Sequence, residues 1–213
     1  MQKIDLKKEY KHLYLPSAKK VEIVDVPPFN FIMVDGRIEE GESPESSESF
    51  REAMTALYGL AFTLKFASKL RETNPIDFTV MALEGLWWSA SGTFEIEKKG
   101  DWKWTMMIMQ PDHVTLEMVQ QAREEVRKKR GESAALSSAR FDRFHEGLSI
   151  QIMHIGPYSE EPATIEKMSA FAEENGLTLR GKHHEIYIGD PRRAKPENLK
   201  TVLRHPVSKI TNA

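Results

Sequence analysis

A pattern that occurs twice along the chain constrains the fold more than any single motif. Each occurrence has a strand that ends near a proline and a glycine, then a polar loop, an amphipathic helix and a later strand that carries a glutamate. The glutamate is Glu84 in the first half and Glu185 in the second. Internal self-similarity of this kind indicates a duplicated unit. It predicts an α+β chain built from two strand-helix-strand-strand repeats.

The spacing of apolar residues predicts the main elements. A stripe at three- and four-residue steps indicates a long helix that ends before Pro75. Its members are Phe50, Met54, Leu57, Leu60, Ala61, Leu64 and Ala67. Segments 79–89 and 102–109 are predicted to pair as a hairpin across a polar turn. Near the end of the chain, we expect a last helix that begins at Pro196 and stops at Pro206.

The same patterns predict the domain organisation. Residues 1–20 are rich in lysine and polar side chains, and we interpret them as an arm that lies over the domain. Residues 21–206 are predicted to form the domain, with repeat one at about 21–110 and repeat two at about 148–206. Residues 207–213 are then a tail.

Composition and charge exclude several classes of function. The 213 residues include 30 basic and 32 acidic side chains, a formal net charge of −2, so the broad basic field of a nucleic-acid-binding protein is absent. The lack of cysteine excludes disulfides, thiolate metal sites and a thiol nucleophile. No signal peptide or run of about 20 apolar residues is apparent. We expect a cytoplasmic protein that contacts neither nucleic acid nor membrane and uses no cofactor.

The late strand, in the sequence GKHHEIYIGDP, places an acid where a core strand would carry an apolar residue. Successive side chains of a strand point to opposite faces, so Ile186 and Ile188 point one way. His183, Glu185 and Tyr187 point the other way. A carboxylate between an imidazole and a phenol favours contact with a small molecule. The alternative is an exposed strand acid that pairs with a nearby lysine.

All four tryptophans lie on the predicted hairpin. Trp87 and Trp88 are adjacent and point to opposite faces, so one can be core while the other lines a cleft, and parity does not decide which. Trp102 and Trp104 share a face and are candidates for walls that stack on a planar or cationic ligand. Ordinary core packing is the alternative for each of them.

The histidines of the late strand do not indicate a metal site. His183 and His184 are adjacent on a strand, so their side chains diverge, and the sequence contains no HExxH helix. We therefore expect no metal. His183 shares the face of Glu185 and is a candidate for ligand contact.

Several short motifs, in this order and spacing, resemble the GyrI-like small-molecule-binding family. They are LEGLWW at 83–88, MHIGPY at 153–158, HEIYIGDPRR at 184–193 and KTVLR at 200–204. The resemblance covers roughly residues 21–206, and the relatives include the drug-binding domains of the BmrR and Rob type regulators. It implies two modules related by a pseudo-twofold axis, with antiparallel sheets that form a central cleft for planar, hydrophobic, often cationic ligands.

The resemblance also implies roles for residues. Glu185 matches the glutamate that answers the positive charge of the ligand in the regulators. A stand-alone branch resembles hydrolases of cyclopropanoid genotoxins of the yatakemycin and duocarmycin type, in which Glu185 would activate water as a general base with Tyr187 beside it. The other candidate ligand-binding residues are Phe31, Glu84, Trp87, Trp88, Trp102, Trp104, Met153, Tyr158 and His183.

Two further functions remain open at this point. One is a drug-sequestering protein that binds with the same residues and turns nothing over. The other is an interaction protein that inhibits DNA gyrase, as the name of the family implies. The regulators carry an N-terminal helix-turn-helix, and residues 1–20 are too short for one, so direct DNA binding is not expected.

Overall fold

The structure is a computed structural model that describes residues 1–44, 46–89, 102–189 and 194–210. The polar turn of the predicted hairpin and the two arginines that follow the late strand lie outside the described residues.

Groups of strands are separated by one or two helices along the described chain. The helices are α1 (Leu6–Glu9), α2 (Lys11–Tyr14), α3 (Glu48–Lys69), α4 (Leu116–Arg130), α5 (Ala134–Ser138) and α6 (Glu161–Glu174). The strands are β1 (Gln2–Ile4), β2 (Glu22–Val26), β3 (Phe29–Arg37), β4 (Ile76–Phe78), β5 (Leu83–Ser89), β6 (Trp102–Gln110), β7 (Arg140–Phe144), β8 (Gly147–Ile155), β9 (Leu177–Leu179), β10 (His183–Tyr187) and β11 (Lys200–Lys209). Short 3-10 turns occupy Tyr158–Glu160 and Pro196–Asn198.

A large antiparallel sheet contains both repeats. Its strand order is β2-β8-β11-β10-β5-β6-β3-β7, and β9 pairs with the far end of β11. From the boundary between β10 and β5, the order outward is β10-β11-β8 on one side and β5-β6-β3 on the other. Because the chain order is strand-helix-strand-strand in both halves, the two repeats are related by a pseudo-twofold axis at this boundary. The predicted α+β fold is confirmed, and the predicted hairpin is the antiparallel pair of β5 and β6.

The helices begin and end where local chemistry favours it. The predicted stripe of α3 is buried over most of its length, including Leu57, Leu60 and Leu64. Helix α4 begins where the Thr115 hydroxyl accepts the N–H of Met118 at 3.3 Å. It ends at Gly131, whose φ of 87° lies in the left-handed region.

The prediction of a last helix that begins at Pro196 and stops at Pro206 is wrong. Only the 3-10 turn Pro196–Asn198 is helical, and the chain then forms β11 between β8 and β10. Pro206 lies inside this strand, where its carbonyl accepts the N–H of Arg180 at 2.9 Å. A proline removes a donor from a strand but keeps its acceptor, so the pairing survives. Strand β11 completes the second repeat.

The sheet has two faces, which we call the front and the back. On β10, the side chains of His183, Glu185 and Tyr187 point to the front, and those of His184 and Ile186 point to the back. Helix α3 packs on β3 and β6, and helix α6 packs on β8 and β9. The ring of Phe50 on α3 contacts front-face rings, so the two helices flank the front of the central strands.

The N-terminal segment is attached to the back of the sheet. Leu13 and Tyr14 are buried, with 1% and 2% of their surface exposed. The Gln151 amide donates to the His12 carbonyl at 2.7 Å, and the Arg204 guanidinium donates to the Leu13 carbonyl at 2.7 Å. None of the helices in the described ranges has the length and apolarity that a membrane crossing requires.

Candidate active site

Glu185 lies at the centre of the front face, where the two repeats meet. Strand β10 pairs with β5 on one side and β11 on the other, which places Glu185 opposite Gly85 and Leu203. The Tyr187 hydroxyl donates to Glu185 Oε2 at 2.7 Å, and the Trp87 indole N–H donates to the Tyr187 oxygen at 3.1 Å. Only 13% of the Glu185 side chain is exposed. The alternation in the sequence therefore produces a partly enclosed carboxylate with an ordered donor.

Gly85 lets neighbouring side chains pack directly against the backbone opposite Glu185. A Cβ at this position would lie 2.5 Å from Met106 Cε, 2.8 Å from the Trp87 indole nitrogen and 3.1 Å from the Tyr187 oxygen. Distances under 3 Å require a shift of the neighbours. The glycine lets Trp87 and Tyr187 approach each other on the front face, and the register of β5 runs through it without a bulge.

A second carboxylate, Glu161, faces the same site from the start of helix α6. It is buried, with 6% of its surface exposed. Its carboxyl group hydrogen-bonds to the Thr201 side chain, and Thr201 lies directly opposite Tyr187 on the neighbouring strand. Oε1 of Glu161 has no hydrogen-bond partner among the described residues. The site therefore holds two carboxylates, one of which has an unused oxygen.

Burial changes the protonation of this pair. Burial raises the pKa of Glu185 to about 7, against the opposing effect of the hydrogen bond from Tyr187. Burial and the charge of Glu185 raise the pKa of Glu161 to about 9, although the bond to Thr201 favours the ionised form. At neutral pH, Glu161 keeps its proton and Glu185 exchanges its proton readily. The pair combines a proton donor with a proton acceptor.

The imidazoles beside Glu185 are neutral. His183 is fully buried, its Nε2 lies 3.6 Å from Glu185 Oε1, and its ring centroid lies 5.7 Å from that of His205. Burial lowers the pKa of His183 well below its usual 6.5 and that of His205 to about 4. The described residues contain no group of three or more metal-ligating side chains that could hold an ion.

Aromatic rings surround the pair on the front face. The rings of Tyr158 and Tyr187 meet edge to face at 6.0 Å. Trp87 contacts Trp102 at 5.8 Å and stacks on Phe50 at 5.8 Å. Edge-to-face contacts of this kind are favourable between aromatic rings, and they fix the orientation of Tyr187 and Trp87.

The structure separates the predicted ligand-binding residues into three places. Near Glu185 and Tyr187 it brings together Trp87, Trp102, Tyr158 and His183. Trp104 is 1% exposed and packs against Phe50 and the backbone of Gly36, inside the α3 core. On the back face lie the remaining four, Phe31, Glu84, Trp88 and Met153.

Glu84 belongs to a closed network on the back face. Its Oε1 accepts from the Tyr14 hydroxyl at 2.7 Å, and its Oε2 accepts from His184 Nε2 at 3.0 Å. His184 Nδ1 donates to Glu146 at 3.0 Å, and Arg204 donates to the same carboxylate at 3.2 Å. The cavity beside these groups has a volume of about 10 Å³. That is room for about one water molecule, and not for a drug-sized ligand.

Charge pairing fixes the ionisation of the back network. Burial alone would raise the pKa of Glu146, but the charges of His184 and Arg204 hold it at about 2. Burial alone would lower the pKa of His184, but Glu146 and Glu84 raise it to about 9. Two carboxylates thus neutralise one imidazolium and one guanidinium. Trp88 is also engaged on the back face, since the Lys182 ammonium lies 3.5 Å from its ring centroid.

Sequence reasoning missed Glu161, although a signal for it exists. Ile165, Met168 and Ala172 form an apolar stripe on α6, and Glu161 continues the same three- and four-residue spacing towards the N-terminus. An acid on the core-facing stripe of a helix requires a partner or a function. Its partner Thr201 lies in the segment that is predicted as a helix from Pro196 to Pro206, so the sequence does not indicate that the two side chains meet.

A groove lies apart from the pair, between the end of β8 and the outer side of α6. Its volume is about 640 Å³, and its lining includes Met153, His154, Glu160, Thr164 and Lys167. The His154 ring is held by contacts of 2.9 Å to Thr164 and 3.2 Å to the Pro157 carbonyl. Neither carboxylate of the front-face pair lines this groove.

Comparisons with solved structures agree with this architecture. An uncharacterized conserved protein from Listeria innocua has 44% identity and a TM-score of 0.86, over 96% of this chain and 100% of that chain. A hydrolase from Listeria innocua has 41% identity and a TM-score of 0.82, over 96% and 100%. The C-terminal domain of EcmrR has 11% identity and a TM-score of 0.55, over 89% and 98%, which is a likeness of fold.

The family comparison covers most of the chain. No protein with a curated description matches the sequence. The family model of the GyrI-like small molecule binding domain matches residues 19–208, a range that includes both repeats, both carboxylates of the front-face pair and the Glu84, Glu146, His184 and Arg204 side chains of the back network. The order of motifs in the sequence predicted this match, and the chain belongs to the GyrI-like small-molecule-binding domain family.

Proposed function

We propose that this protein hydrolyses the cyclopropane ring of planar, hydrophobic cyclopropanoid genotoxins, with Glu185 as the general base. The observation that carries the proposal is the position of Glu185, a partly enclosed carboxylate with a pKa raised to about 7, beside Tyr187 and a set of aromatic rings. A base whose pKa lies near the working pH is best placed to take a proton from water. The hydrolase from Listeria innocua, at 41% identity over 96% of this chain, supports the reaction class.

The chemistry follows from the strain of the ring and its conjugation to a dienone. The oxygen of water bonds to a ring carbon while a carbon–carbon bond of the ring breaks. Glu185 takes the proton of the attacking water. The electron pair moves through the conjugated system to a distant oxygen, which becomes a phenolate and is protonated by solvent. Aromatic walls hold a planar substrate in line with the water, which lowers the entropic part of the barrier.

Mass spectrometry with a cyclopropane-bearing duocarmycin-type compound in excess tests the proposal. We expect a gain of one water over many turnovers with wild type, and a loss of about 100-fold or more with Glu185→Gln. The matched control is Glu173→Gln, an exposed acid near the end of α6, which should hydrolyse at the wild-type rate. Product that stops at one equivalent per protein, or none above buffer, would contradict hydrolysis and leave a drug-sequestering protein.

A further inference from the structure

The proposed cyclopropane reaction leaves one prominent group without a task. Glu161 is buried against the front face, and its Oε1 has no partner among the described residues. Cyclopropane opening sends the electron pair to a distant oxygen, out of reach of a donor that lies next to the base. An unpartnered, buried carboxyl oxygen is costly unless a ligand or the reaction uses it.

Contacts on three adjacent elements place Glu161 next to Glu185. Glu161 bonds to Thr201, and Thr201 is the cross-strand neighbour of Tyr187. Directly opposite residues of an antiparallel pair have Cβ atoms about 5 Å apart. Tyr187 in turn donates to Glu185 at 2.7 Å. The two carboxyl groups therefore flank the Tyr187 side chain on one patch of the sheet.

The surroundings leave Glu161 as a proton donor. The titratable groups that face the patch include Tyr187, Tyr158, the neutral His183 and His205, and His154, which lies opposite Thr201 on β8. The described cationic side chains include no ion-pair partner for Glu161 within 4.0 Å. Burial and the nearby Glu185 carboxylate both favour the protonated form, so the pKa of Glu161 is raised to about 9. An acid and a base are thus available together at neutral pH.

We propose that the Glu161–Glu185 pair hydrolyses epoxides on apolar, aromatic molecules to vicinal diols. The oxygen of water bonds to an epoxide carbon, and the bond between that carbon and the ring oxygen breaks. Glu185 takes the proton of the water while Glu161 delivers its proton to the departing oxygen. The net change is the addition of one water, and exchange with solvent restores both carboxyls. This inference rests on the proposed function, since it uses the same base.

An epoxide matches the closeness of the two carboxyl groups. Its electrophilic carbon and its leaving oxygen are directly bonded, so acid and base must act within one small site. An alkoxide is a poor leaving group, and general-acid catalysis contributes about 10²- to 10⁴-fold to such steps. Tyr158 and Tyr187, with rings 6.0 Å apart, provide an aromatic surface for the remainder of the substrate.

The test uses styrene oxide as the probe and chromatographic measurement of phenylethanediol under multiple turnover. We expect diol formation by wild type and by Glu173→Gln. Both Glu161→Gln and Glu185→Gln should lose about 100-fold or more. Glu173→Gln should also keep the wild-type rate on the cyclopropane-bearing compound, because this exposed residue lies outside the pair. Circular dichroism and the unfolding midpoint of each variant establish that it is folded.

The outcomes separate the two proposals. Absence of diol above buffer with wild type overturns the epoxide inference, and continued cyclopropane opening by the same sample leaves the proposed function intact. Diol formation by Glu161→Gln at the wild-type rate also overturns the inference. Failure of wild type on both substrates removes the proposed function as well. A further expected result is a fall in diol formation above about pH 9, where Glu161 loses its proton.

Discussion

Glu84 and Glu185 are carboxylates on neighbouring strands of one sheet, but they lie on opposite faces and have very different surroundings. Glu84 is 1% exposed, and both of its oxygens accept hydrogen bonds, from Tyr14 and His184. Glu185 is partly exposed, accepts a hydrogen bond from Tyr187, and lies beside the protonated Glu161. Parity along a strand thus decides whether an acid joins a closed network or an open site.

The difference concerns how the charge of each acid is balanced. The back network contains two acidic and two basic side chains within ion-pair distance, and the shifted pKa values of Glu146 and His184 keep these two groups ionised at neutral pH. Among the described residues, the front pair has no such cation within 4.0 Å, and burial raises the pKa values of both acids towards the range that is useful for proton transfer. This difference supports the proposal that the front pair carries out chemistry, while the back network contributes to the stability of the fold.

The largest expected effect is on the stability that the back network provides. Arg204→Met removes one of the two cations that contact Glu146, and breaking a buried ion pair on one side costs about 3–5 kcal/mol. Urea unfolding should report a loss of this size in the free energy of unfolding. Arg143→Met, at an exposed position of β7, is the control and should change it by less than about 0.5 kcal/mol. Equal stability of the two variants would contradict the role of the network.

In contrast to the back network, the front pair should lower the free energy of unfolding, and the size of this effect should depend on pH. Both carboxyls have raised pKa values in the folded state, about 7 and about 9 against 4.5, so they favour the folded state less as pH rises through this range. The double variant Glu161→Gln/Glu185→Gln removes this dependence. Between pH 4.5 and pH 9, the free energy of unfolding of the double variant should increase relative to that of wild type by at least about 1.4 kcal/mol, the equivalent of one pKa unit.

Unfolding measured at intervals across this range checks the sign. If the free energies of unfolding of the double variant and wild type differ by the same amount at pH 4.5 and at pH 9, the pair does not titrate as described. The back network behaves differently: the contribution of Glu146 is lost as pH falls from 4.5 to about 2, and that of His184 is lost as pH rises from 6.5 to about 9. Its stabilisation is therefore greatest between pH 4.5 and 6.5.

The parts of this comparison that the sequence predicts are those set by local periodicity. A period of two fixes the faces of His183, Glu185 and Tyr187 without knowledge of any partner. The same rule puts Glu84 and Trp88 on one face of β5. It does not say whether this face is the one on which Glu185 of β10 lies. That depends on the pairing of Glu84 with Ile186, a contact between residues about 100 positions apart.

Other features depend on contacts that no local pattern contains. The bond between Tyr14 and Glu84 joins residues 70 positions apart. Strand β11 is predicted as a helix because Pro196, which precedes it, and Pro206, which lies within it, resemble a helix start and stop, while the burial of the strand between β8 and β10 is a tertiary effect. Because this segment is predicted as a helix, the sequence does not place Thr201 beside β10. It therefore does not indicate that Glu161, the partner of Thr201, lies near Glu185. The sequence thus predicted one half of the front-face pair.

The smallest expected effect is the most specific test of the front face. Tyr187→Phe removes the hydrogen bond to Glu185, and since that bond lowers the pKa of Glu185, its loss should raise the pKa. A rise of one unit leaves about a tenth of Glu185 ionised at pH 7 instead of about half. The rate at pH 7 should fall about fivefold, and the rate at pH 9 should be close to that of wild type.

The pH profile of kcat/KM for water addition measures this shift. Tyr58→Phe, which removes a hydroxyl from the exposed side of α3, is the control and should leave the profile unchanged. A uniform loss of rate at every pH would show that Tyr187 positions substrate and does not tune Glu185. A shifted acidic limb with an unchanged plateau would instead establish the link that runs from Trp87 through Tyr187 to the base. In that case, the alternation of side chains along β10 would account both for the base on the front face and for its separation from the ion pairs on the back face.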